Sequence, residues 1–93
     1  MHQWVEADDL MVCYMFRFGT TAIPYSQANV ATRIGVSEGG LRYRLSNFKA
    51  ASGSDGAAHY GKITAKVLNK NQNLSEVQLR FLAFPELVPA ASP

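Results

Sequence analysis

Three features of the 93-residue sequence predict an all-α domain. Apolar residues recur at helical spacing in several separate segments. Cap-type residues stand ahead of most of those segments. No segment alternates β-branched and polar residues as a half-buried strand would. The expected architecture is about five short helices around a helix-turn-helix, with no β-wing. It forms one domain over residues 1–88, followed by a loose tail at 89–93.

The first helix is expected from about Asp9 to Phe18, with Asp8 or Asp9 as its cap and acidic charge at the positive end of the helix dipole. Leu10, Met11, Val12, Cys13, Tyr14, Met15, Phe16 and Phe18 make it apolar almost all round. Such a helix lies in the centre of a core or turns one side to a partner chain, so a homodimer through this helix is one expectation. Gly19 ends it, and Pro24 keeps the connector extended. A second helix starts at a Ser26 cap, faces inward with Val30, Ala31 and Ile34, and ends at Gly35.

Ser37 caps a third helix running to about Ala50, in which Leu41, Leu45 and Phe48 recur at i, i+4, i+7. A loop, ASGSDGAA, follows from Ala51. A fourth helix is expected over about His59 to Asn71, with Tyr60, Ile63 and Val67 inward and a basic row of Lys62, Lys66 and Lys70. The fifth has a capping box of Ser75 and Gln78 with Leu74 and Leu79 as a hydrophobic staple. Leu79, Phe81 and Leu82 can pack, Pro85 stops the helix, and the sequence beyond it, ELVPAASP, is expected to be loose.

The segment Gln27 to Phe48 carries the most functional information. A helix with the small Ala31 where a second helix would cross it, a glycine corner plugged by Val36, then a capped amphipathic helix is the pattern of a unit that lays its second helix in the major groove of DNA. With Leu41, Leu45 and Phe48 inward, the opposite side is expected to hold Gly39, Tyr43, Ser46 and Asn47, with Arg42 on the flank. Arg42, Tyr43, Ser46 and Asn47 are the candidate base-reading residues: arginine reads guanine bidentately, asparagine reads adenine, and tyrosine meets a sugar or a thymine methyl. Ser37, Gly39, Arg44, Lys49, Lys62 and Lys66 are the candidate phosphate contacts, Arg44 lying nearer the core and suiting either a phosphate or an ion pair. Gly39 and Gly40 in a first helical turn imply a close approach by a phosphate or a neighbouring helix.

Net charge is +2, but residues 31–70 carry seven lysines and arginines against Glu38 and Asp55, which is +5. Positive charge around the proposed reading helix suits a phosphate backbone. The only cysteine, Cys13, is expected to be a small buried hydrophobe, and a chain without disulfides fits a cytoplasmic setting. The longest apolar run, Leu10 to Phe16, is too short for a membrane span and has no basic segment before it. No catalytic triad, metal-ligand set or phosphate loop is visible, so neither an enzyme nor a cofactor or metal is expected.

The stretch IGVSEGGLRYRLSNFKA, followed by AAHYGKITAKV, resembles the N-terminal helical module found ahead of HNH nuclease domains in bacterial putative restriction endonucleases. The likeness rests on the Gly35-x-Ser37 turn, on Arg44, Leu45, Asn47 and Phe48, and on Tyr60 and Lys62, with Trp4 as the early aromatic. No HNH domain follows, and His2 and His59 are the only histidines. The resemblance therefore implies DNA binding without nuclease activity, in a free-standing protein or a fragment of a longer one. The expected function is double-stranded DNA binding as a small transcriptional regulator or DNA-targeting module, of bacterial, phage or mobile-element origin. The rival expectation is a protein-interaction module in which the helix-turn-helix is architectural and docks a nuclease, defence or regulatory partner.

Overall fold

A computed structural model describes residues 2–53 and 62–89. Five α-helices follow in chain order: α1 Glu6–Phe18, α2 Gln27–Ile34, α3 Glu38–Ala51, α4 Lys62–Asn71 and α5 Glu76–Ala83, with a 3-10 turn at Pro85–Leu87. None of the described residues is in a strand. The all-α class is as the sequence predicts. Tyr60 and His59, expected to open the fourth helix, lie outside the described residues, as does most of the loop after Ala51.

Helix α1 is the centre of the domain. It packs against α3, α4 and α5, and Met11 to Met15 are all buried. The central part of its apolar surface is thus covered inside one chain, while Leu10, Phe16 and Phe18 are partly buried. Burial raises the Cys13 thiol to about 11, so it behaves as a small hydrophobe. The start of α1 is also earlier than expected. Asp8 occupies its third position, and its carboxylate accepts from the Val5 N–H at 3.4 Å, while Asp9 is fully buried. Trp4-Val5-Glu6 offers no serine, threonine or aspartate to mark that boundary.

The other starts follow the sequence. Ser26, Ser37 and Ser75 cap α2, α3 and α5 by accepting from the N–H groups of Asn29, Gly40 and Gln78 at 3.0–3.1 Å. Gly35 ends α2 in the left-handed region at φ 99°, which a side chain disfavours, and its N–H closes onto the Ala31 carbonyl. The corner Gly35-Val36-Ser37 then redirects the chain into α3.

Leu41, Phe48, Val67, Leu79 and Phe84 complete the core with Val12 and Tyr14. Phe84 sits edge-on to Tyr14 at 5.7 Å and tilted against Tyr25 at 5.3 Å. Leu82, expected to pack, is exposed. Arg17 reaches from α1 to donate to the carbonyls of Asn71 (3.0 Å) and Leu74 (2.7 Å), placing a cation on the negative end of α4. The segment expected to be loose after Pro85 is held through Glu86, which binds Arg33 of α2 through both carboxylate oxygens at 2.6 and 2.7 Å and accepts from the Tyr25 hydroxyl at 2.5 Å. A second Tyr–Glu–Arg set, Tyr14–Glu76–Arg80, fastens α1 to α5.

Candidate nucleic-acid interface

Helix α3 has two unlike sides. Glu38, Gly39, Arg42, Tyr43, Ser46 and Lys49 are all exposed. At 100° per residue they fill one arc of about 140°. The arc begins at the capped N-terminus beside the glycine corner. Tyr43 is 69 % exposed, the most exposed of the large apolar side chains described. The Arg42 side chain is 64 % exposed and lies 4.0 Å from Glu38, a contact at the limit of an ion pair. Ser46 donates its hydroxyl to the Tyr43 carbonyl at 2.5 Å, which leaves its oxygen lone pairs facing out as acceptors.

Two of the sequence-predicted residues fall elsewhere. Asn47 is only 8 % exposed, because α1 and α4 both pack on α3 and widen its buried side beyond the Leu41–Leu45–Phe48 line. It cannot present its amide to a base from there. Arg44 is committed inside the fold. Its Nε and Nη2 donate to the two carboxylate oxygens of Asp9 at 2.9 and 2.7 Å, and the Trp4 ring covers the guanidinium at 4.6 Å. The Arg44 side chain is 11 % exposed and that of Asp9 0 %, so the ion pair holds and the phosphate contact does not.

Ser37 spends its side-chain oxygen on the cap. Gly39 is exposed, and a Cβ built on it would meet nothing nearer than 3.8 Å. The packing of this domain therefore does not require glycine there. Lys66 and Lys70 of α4 are exposed and share Glu6 at 3.6 and 3.5 Å. The Lys62 side chain lies outside the described residues.

These pairings change the electrostatic picture that the sequence suggests. The excess of +5 over residues 31–70 is reduced to +2 by three acids from outside that stretch: Asp9 on Arg44, Glu86 on Arg33, and Glu6 shared by Lys66 and Lys70. What remains is a local feature of α3 rather than a broad basic field. Sequence reasoning missed Asp9 and Glu86 as partners because they lie 35 and 53 residues from the arginines they bind. The sequence sets Asp9 beside Asp8 and Glu6 in the acidic start of α1, so nothing in it distinguishes the one acid that is buried.

Among the described residues, no group of three or more His, Cys, Asp or Glu side chains could hold a metal ion. No helix among them is long and apolar enough to cross a membrane. Comparison with known proteins finds no matching family model, no similar curated protein and no similar solved structure.

Proposed function

We propose that the domain binds double-stranded DNA through the α2–corner–α3 unit, with the exposed arc of α3 in the major groove, as a small transcriptional regulator or DNA-targeting module of the cytoplasm. One observation carries this reading. Of five arginines, Arg17, Arg33, Arg44 and Arg80 are held by carbonyls or carboxylates of the fold, while Arg42 projects outward next to Tyr43 and Ser46. A bidentate donor, an aromatic and an acceptor oxygen on one exposed helical arc are the chemistry of base-edge readout. Lys49 on the same arc suits a flanking phosphate. The likeness of the Gly35-to-Phe48 stretch to modules ahead of HNH nucleases supports a DNA role and carries no nuclease activity with it.

Site selection from a randomised duplex pool tests the proposal. The wild type is expected to enrich a short motif containing guanine. Arg42→Ala is expected to lose preference at one base pair, by about 1–3 kcal/mol. An Arg42→Ala protein that enriches the same motif with the same stringency would remove Arg42 as a reader.

A second reading has its own observation. Val77, Leu82 and Val88 at the C-terminal end of the domain are exposed, and Tyr43 is an exposed aromatic on α3. In that reading the domain docks a nuclease, defence or regulatory protein, and its association is insensitive to salt where DNA binding is steeply sensitive.

A further inference from the structure

We propose that Arg44 is a positioning residue for the reading face of α3, acting through Asp9 and Trp4. This rests on the DNA-binding function proposed above. The apolar anchors Leu41, Leu45 and Phe48 hold one side of α3 against the core. Apolar contacts are not directional, and they leave a helix free to settle at slightly different rotations about its axis. The Arg44–Asp9 fork is directional: two parallel hydrogen bonds at 2.9 and 2.7 Å tie α3 to the first turns of α1.

The N-terminal arm completes the clamp. Trp4 covers the guanidinium, and His2 sits edge-on to Trp4 at 4.9 Å. The His2 Nε2 lies 2.9 Å from an Asp8 oxygen, and its Nδ1 is 3.9 Å from where a Gly35 Cβ would stand. One connected set of side chains therefore joins the N-terminal arm, α1 and α3, with His2 beside the corner.

The scale of the effect follows from helix geometry. Side-chain atoms on an α-helix lie about 5–6 Å from its axis, so a rotation of roughly 10° moves them by about 1 Å. Base-edge hydrogen bonds tolerate only about 2.7–3.2 Å between heavy atoms, so such a shift breaks them. Arg44 lies two residues after Arg42, one after Tyr43 and two before Ser46, so any rotation it permits moves the whole arc. Buried ion pairs are seldom the most stabilising choice, and fixing one arrangement among several is their best-attested use.

The test is Arg44→Lys, which keeps the charge and loses the planar fork. Affinities for a selected duplex and for a random duplex are measured well below the melting midpoint of each protein. The expected result is a ratio of the two affinities that falls by about tenfold or more, with an unchanged salt dependence of the random-duplex binding. A lower melting midpoint with the wild-type ratio would make Arg44 merely structural and overturn the proposal. If Arg44→Lys does not fold, the Asp9→Leu/Arg44→Met double variant replaces it, since apolar replacement of a whole buried pair is commonly tolerated, and the same loss of ratio is expected. A wild type that binds no duplex at any salt would remove the DNA-binding function itself. Wild-type binding with an intact ratio in the variant removes only the role of Arg44.

Discussion

The number of phosphate contacts available to this domain can be bounded from its internal pairing. The chain has nine lysines and arginines, and four of them, Arg17, Arg33, Arg44 and Arg80, are bound within the fold. The other five cations, Arg42, Lys49, Lys62, Lys66 and Lys70, set the upper bound, with Lys66 and Lys70 sharing Glu6. Each phosphate neutralised contributes about −0.9 to the slope of log affinity against log salt concentration. An interface confined to α3 uses Arg42 and Lys49 and has a slope of about −1.8 per protomer; one that recruits every remaining lysine reaches about −4.5. Raising salt from about 50 to 200 mM should therefore weaken binding by roughly 10-fold to 500-fold. Had all nine cations been available, the slope would approach about −8. The assay is fluorescence anisotropy of a labelled random-sequence duplex titrated at several salt concentrations. A slope near zero would remove the DNA interface. A slope of about −6 or steeper per protomer would show that cations held within the fold, such as Arg33 and Arg44, leave their carboxylates for phosphate.

Three further outcomes follow from particular residues. Gly39→Ala meets no close neighbour, so it should raise stability by up to about 1 kcal/mol in thermal unfolding while weakening duplex binding; unchanged affinity would show that no phosphate approaches the Gly39 backbone. The Thr64 hydroxyl is buried without a hydrogen-bond partner among the described residues, so Thr64→Val should be neutral or stabilising by about 1 kcal/mol in urea unfolding, and a clear loss of stability would reveal a partner. Arg80 and Tyr14 hold the Glu76 carboxyl at about 2, and Arg33 with Tyr25 does the same for Glu86, down from 4.5. Both lie below their unfolded values, so the stability they contribute is present above pH about 4.5 and lost as pH falls toward about 2; Glu76→Gln/Glu86→Gln should flatten acid unfolding across that window, modestly because the groups are solvated.

What was legible in the sequence was local. Ser26, Ser37 and Ser75 cap helices because a short oxygen-bearing side chain one residue ahead of a periodic apolar segment has few other uses. Gly35 marks a corner because the backbone there is left-handed. Leu41 and Phe48 are buried because the helical period places them together. The contacts that define the candidate site were not local. Whether Arg44 faces a phosphate or an acid depends on Asp9 in another helix, and no periodicity within α3 contains that information. Asn47 failed for a related reason: a helix packed by two others buries a wider arc than its strongest apolar line suggests. Glu86 stands in a Pro-flanked tail of loose composition, yet Arg33 and Tyr25 hold it in place.

The central place of α1 has a consequence for how the chain comes to be folded during synthesis. The most apolar helix is made before the helices that pack on it, and much of its cover arrives late: the Arg17 contacts at Asn71 and Leu74, the Tyr14 contact at Glu76, then Leu79 and Phe84. Until α4 and α5 have left the ribosome, α1 has only one of its three packing partners, α3. Contacts this distant along the chain slow folding and leave apolar surface open to association in the meantime. A premature stop before α5 should therefore yield an aggregating product rather than a smaller working domain.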